Sequence, residues 1–159
     1  MQTTIVIATE ARQEDLAAIT APLLEHNLRS APPPNFFHVS LLLQNNHGKT
    51  VGGLWGRGAY EWLFVEYLAV PADLRGQGLG TALLRKAEQI AREHACIGVW
   101  LDTFDFQARP FYEKLGYKVF GRLDDHPRGV SQYWLQKRLE TGETGRTGEA
   151  VAPDISRPR

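Results

Sequence analysis

The chain has 159 residues, enough for one domain with a proper core, and its 43% hydrophobic and 23% charged content is that of an ordinary globular protein. Lysine plus arginine and aspartate plus glutamate both total 18, so the formal net charge is zero and no global field draws in nucleic acid or an anionic membrane. The only cysteine, Cys96, excludes an intramolecular disulfide and a thiolate metal cluster, and no apolar run approaches the roughly 20 residues of a membrane span or resembles a signal peptide, so the expected compartment is the cytoplasm.

Residues 3–8 read as a first strand, and residues 13–27 as a helix in which Leu16, Ile19, Leu23 and Leu24 recur at helical spacing, with Pro22 as a kink or break. Three prolines, Pro32, Pro33 and Pro34, make the next connection stiff. Residues 37–44, 51–57 and 61–70 then predict an antiparallel meander, turning first at Asn45-Asn46-His47-Gly48 and again around Gly58-Ala59. After a glycine-rich loop, Leu79, Leu83, Ala87, Ile90 and Ala91 mark one face of a helix that ends near His94. Residues 97–103 predict a strand buried on both faces, 108–115 a helix with Pro110 in its first turn, and 117–121 and 130–139 two more strands. From Thr141 onward the chain is poor in apolar residues and reads as a flexible tail, leaving residues 1–140 as one domain.

The loop Arg75-Gly76-Gln77-Gly78-Leu79-Gly80-Thr81 between strand and helix is the most informative segment. Glycines permit φ > 0 and close approach to the main chain, while the first amides of the helix point outward at its positive end, where an anion fits; a bare tight turn is the competing reading. Two phosphate loops are excluded. Thr81 stands where a dinucleotide fingerprint needs its third glycine, and Leu43 stands where a P-loop ending at Gly48-Lys49-Thr50 needs its first.

The pairing of Arg75-Gly76-Gln77-Gly78-Leu79-Gly80 with Ala108-Arg109-Pro110-Phe111-Tyr112-Glu113-Lys114-Leu115-Gly116-Tyr117, one helix and one strand later, resembles the GNAT superfamily of acetyl-CoA-dependent N-acetyltransferases. The resemblance covers about residues 3–139. It implies an α/β fold: a mixed, mostly antiparallel central sheet of six to seven strands flanked by helices on both faces, in which the strands at 61–70 and 97–103 run parallel and splay apart.

The resemblance further implies that the backbone of Leu68, Ala69 and Val70 pairs with the pantetheine arm of acetyl-CoA. The amides of Arg75, Gly76, Gln77, Gly78, Leu79, Gly80 and Thr81 would hold the pyrophosphate, with the Arg75 side chain adding charge. Asp105 stands where many relatives place an asparagine; an aspartate cannot donate, so it either makes a different contact there or caps the helix that follows. Glu66, expected on the face shared by Trp62, Phe64, Leu68 and Val70, is the candidate general base, its carboxyl raised by an apolar setting, or else a structural carboxylate. Tyr112 matches the tyrosine that protonates the departing thiolate, or is a core tyrosine.

Cys96 and the scattered histidines give neither a covalent carrier nor a metal site. The implied reaction is direct transfer to a primary amine of a small molecule, peptide or protein; a non-catalytic acyl-CoA sensor or scaffold is the alternative. Relatives are often dimers, so a homodimer is open.

Overall fold

A computed structural model of the protein describes residues 3–140; the expected flexible tail lies outside them. In chain order the elements are α1 (Gln13–Ser30), β1 (Phe37–Gln44), β2 (Thr50–Ala59), β3 (Trp62–Ala69), a 3-10 turn (Ala72–Leu74), α2 (Leu79–Glu93), β4 (Gly98–Phe104), α3 (Arg109–Lys114), β5 (Lys118–Leu123) and β6 (Gln132–Arg138). The strands form one sheet in the order β1-β2-β3-β4-β6-β5, antiparallel throughout except between β3 and β4. The α/β architecture with a six-stranded mixed sheet is the one the resemblance implied.

The first hairpin closes on Asn45, whose carboxamide oxygen accepts from the amides of His47 and Lys49 at 3.0 Å each, with Gly48 at φ 73°. The second turn lies two residues beyond its predicted place, at Tyr60 and Glu61, both with positive φ (48° and 65°), the backbone a two-residue hairpin requires. Gly58 belongs to β2, because it makes room for the ring of Phe37 opposite it; a β-carbon there would run into that ring.

At the N-terminus the expected strand fails, and of the kink or break expected at Pro22 the break does not occur. Residues 3–8 pair with no strand, and a strand exists only through its partner. Helix α1 runs unbroken through Pro22: the carbonyl that loses its bond belongs to Ala18, which is exposed, so water can serve it.

One face of the sheet is dry. The amphipathic helix α2 crosses it, setting Leu83, Leu84, Ala87 and Ala91 against Val39, Leu54, Leu63, Val65, Val99, Leu101 and Leu135. Leu63, Leu84 and Leu135 lose all contact with solvent, each worth about 1.5–3 kcal/mol of transfer free energy. Phe111, Tyr112 and Leu115 of the α3 segment pack into the same layer.

The other face is aromatic and lies open. Cross-strand pairing puts Trp55 beside Tyr67, Phe64 beside Trp100, and Trp134 beside Asp102, and strand alternation adds Trp62. Phe64 and Trp100 stack at 3.8 Å. The chain's four tryptophans therefore share one face of the sheet.

Candidate functional site

The glycine loop adopts the conformation its sequence demands. Gly76 and Gly78 sit at φ 76° and 77°, and a β-carbon on either would meet nothing within 4 Å, so glycine is present there for its backbone freedom rather than for packing. Gly78 is the N-cap of α2, whose first turn holds no acidic residue and no side-chain cap. The amides of Leu74 and Arg75 close the preceding 3-10 turn and that of Ala82 returns to Gly78, but those of Gly76, Gln77, Gly78, Leu79, Gly80 and Thr81 donate to no group of the described chain. Consecutive unpaired amides at the positive end of a helix form an anion cradle. The Arg75 guanidinium folds back, its Nε donating to the Val70 carbonyl at 3.1 Å, and so braces the strand end against the loop. Gly80 brings the helix start against the ring of Phe111.

The cradle stands beside a split in the sheet. β3 and β4 pair from Trp62↔Gly98 to Val65↔Leu101 and no further, so the edge carrying Leu68 and Ala69 has no partner on the β4 side while its other edge stays bonded to β2. Val70 follows directly.

Glu66 is the residue at which alternation fails. Trp55 pairs with Tyr67 but Gly56 with Val65, so Glu66 is the extra residue of a bulge on β3. This corrects the expected face: Leu68 and Val70 pack with the core under α2, whereas Glu66 joins Trp62 and Phe64 on the tryptophan side and meets Arg57 Nε at 3.1 Å. Its setting is an ion pair beside aromatic rings rather than a purely apolar one.

Tyr112 of α3 belongs to the core layer, 8% exposed and edge-on to Phe111 and Tyr117. No hydrogen-bond partner holds its hydroxyl among the described residues, and none of their fully buried polar atoms lacks one, so the hydroxyl reaches open space. Burial, reinforced by the charge of Asp102, pushes its phenol up to about 12.

Asp105 does not cap α3. That helix starts at Arg109 with Ala108 as its N-cap, after a turn closed by Gln107 Oε1, which accepts from the Phe104 amide at 2.9 Å. Asp105 instead clamps Ser131: its amide donates to the Ser131 carbonyl and its carboxylate accepts from the Ser131 amide, both at 3.0 Å. The carboxylate is committed to the loop leading into β6.

One buried cluster escaped sequence reasoning. Glu88, 4% exposed on the inner face of α2, accepts from Lys137 Nζ at 2.9 Å and from the Tyr117 hydroxyl at 3.1 Å. The signal was present: a lone acid four residues after Leu84 on an apolar stripe. Cys96 is buried, its thiol pushed up by burial and then by the charge of Glu61. Among the described residues no group of His, Cys, Asp and Glu could hold a metal ion, and no helix is long and apolar enough to cross a membrane.

The acetyltransferase (GNAT) family profile matches residues 5–117, which span the β3–β4 split and the glycine loop. The chain belongs to the GNAT acetyltransferase family. Relatives agree with this: the GNAT chain is 35% identical over 134 residues to an acetyltransferase of Agrobacterium fabrum, covering 84% of this chain and 98% of that one. It is 43% identical over 93 residues to the blasticidin-S acetyltransferase of Streptomyces morookaense, covering 58% and 68%. A crystal structure of an Agrobacterium tumefaciens protein assigned as an acetyltransferase superposes with a TM-score of 0.80 at 34% identity, covering 86% of this chain and 100% of that one. This GNAT protein is accordingly an acyltransferase.

Proposed function

We propose that residues 1–140 form one catalytic domain that moves an acetyl group from acetyl-CoA to a primary amine by direct attack in a ternary complex. The run of unpaired amides from Gly76 to Thr81 beside the β3–β4 split carries this reading. Those amides would receive the pyrophosphate, and the open edge of Leu68, Ala69 and Val70 would receive the pantetheine arm as a strand does. Asp105 would act on the cofactor only indirectly, by fixing the end of β4.

Glu66 takes a proton from the incoming ammonium, directly or through water, so that the amine nitrogen can bond to the thioester carbon. An amide in the split, that of Leu68, meets the developing oxyanion. Tyr112 gives its proton to the sulfur as the carbon–sulfur bond breaks; the second proton that the nitrogen must lose to become an amide restores the phenol through solvent, and Glu66 releases the first to solvent. Its burial suits this: a phenol held protonated is a reservoir available across the working pH range.

The acceptor side is the tryptophan face, where Glu66 and Asp102 stand close to stacked aromatic rings. Carboxylates beside π-faces suit a small cationic amine. The relative named a blasticidin-S acetyltransferase supports a small-molecule acceptor.

Thioester cleavage over a panel of amines, with mass detection of the acetylated product, tests the proposal. Turnover on small cationic amines that collapses in Glu66→Gln and Tyr112→Phe is expected. Acetyl-CoA binding with no turnover on any amine would replace the enzyme reading with that of an acyl-CoA sensor.

A further inference from the structure

Strand alternation hollows out the tryptophan face beside the two carboxylates. On β4 the residues of that face are Gly98, Trp100 and Asp102, flanked by Trp62 and Phe64 of β3 and by Gln136 and Trp134 of β6. Gly98 has no side chain, and the indole of Trp62 lies across it; a β-carbon there would run into the ring. The result is a hollow of about 510 Å³, within the range of small-molecule pockets. Five of its lining residues are aromatic, Tyr60, Trp62, Trp100, Phe120 and Trp134, and Gln136 adds a carboxamide. Phe64 covers one side of the Trp100 ring at 3.8 Å and stands outside the hollow, so the side of Trp100 toward β6 is the one that lines it.

The two ends of the hollow differ in charge. At one end the Arg138 guanidinium lies over the Trp62 ring, 5.7 Å from its centre. At the other stands Asp102, whose carboxylate accepts from the neutral Gln132 amide at 2.7 Å and pairs with no cation among the described residues. Glu66, by contrast, already faces Arg57. Asp102 is therefore the negative charge left to a ligand, and Arg138 repels a second cation from the far end.

We propose that the hollow takes a planar aromatic ring of the acceptor, whose single ammonium group reaches back to Asp102 on an arm of about two or three carbons. The proposal rests on the reading of the tryptophan face as the acceptor side. Side chains two residues apart on one face of a strand stand roughly 7 Å apart, and the step from Trp100 to Asp102 sets the length of the arm. An aliphatic body would gain burial alone. A flat ring gains in addition the offset and edge-on contacts that several π-systems offer at once.

Calorimetry on the full chain with phenylpropylamine and cyclohexylpropylamine tests the ring site. The two carry the same arm and the same amine, and the saturated ring is the more apolar, so burial alone would favour it. The aromatic amine is expected to bind about 10-fold more tightly. Trp134→Leu and Phe120→Leu should each reduce that ratio to about threefold or less; Phe120 is 55% exposed, so its replacement leaves the fold intact. Equal or tighter binding of the cyclohexyl compound, or a ratio unchanged in both variants, would overturn the proposal. Turnover on the same two amines is read separately. A binding preference without turnover on either retains the ring site and removes the catalytic reading, whereas turnover on both with equal affinities removes the ring site and leaves the enzyme.

Discussion

Replacing Tyr112 by phenylalanine should separate its chemistry from its packing. The hydroxyl has no partner among the described residues, so its loss breaks no hydrogen bond, while the ring keeps its contacts with Phe111 and Tyr117. Stability at pH 7 should therefore change by less than about 0.5 kcal/mol. At high pH the sign is distinctive. The phenol titrates at 10.0 when unfolded and at about 12 when folded, so the folded protein keeps its proton longer; the associated stability is complete below pH 10 and lost as pH rises through 12. At about pH 11.5 that loss amounts to about 2 kcal/mol, and Tyr112→Phe, which cannot ionise, should then be the more stable protein. Urea melts at both pH values measure this. Turnover should fall by about 10²-fold, with acetyl-CoA affinity by calorimetry within twofold. An unchanged rate would remove Tyr112 from the chemistry, and equal stability of the two proteins at high pH would remove the argument from burial.

Gly78→Ala should cost about 1–2 kcal/mol, because its β-carbon meets nothing and the penalty lies wholly in the positive φ; Gly78→Asn should cost less, and equal melting temperatures for all three proteins would contradict this. Gly78→Trp should abolish acetyl-CoA binding by filling the space over the cradle, and unaltered affinity by calorimetry would show that the diphosphate lodges elsewhere. Lys137→Met alone strips a buried carboxylate of its closest cation and should destabilise by about 3–5 kcal/mol, whereas adding Glu88→Leu should restore most of the loss in a denaturant melt. Asp105→Ala should lower stability by about 1 kcal/mol through the lost Ser131 bond; a change in acetyl-CoA affinity larger than threefold would instead place its carboxylate at the cofactor.

The central sheet and the glycine loop were legible because they obey local rules. Strand alternation places Leu63, Val65, Val99 and Leu101 on one face without help from tertiary structure, and positive φ at Gly76 and Gly78 is what glycine spacing before a helix implies. The Glu66 bulge was not legible, since an extra residue inside an alternating strand leaves no mark in composition and shows only in the register with β2. Asp105 misled because its partner Ser131 lies 26 residues away, whereas the helix it was expected to cap lies nearby. Helix α1 was legible from its periodicity, whereas the strand expected at residues 3–8 does not form, because a strand needs a partner edge that composition cannot name.

The placement of every indole in one layer makes the chain its own optical probe. Light emitted on excitation of tryptophan arises entirely from the side opposite α2, so quenching, spectral shift and resonance transfer among neighbouring rings all report what covers that side. On the proposed function, events at the glycine loop, which carries no indole, would leave the signal nearly unchanged, and an acceptor arriving on the tryptophan face would brighten or dim it at once. An experimenter could titrate the two substrates separately in a cuvette, without a label, and read from which one the emission answers where each has gone.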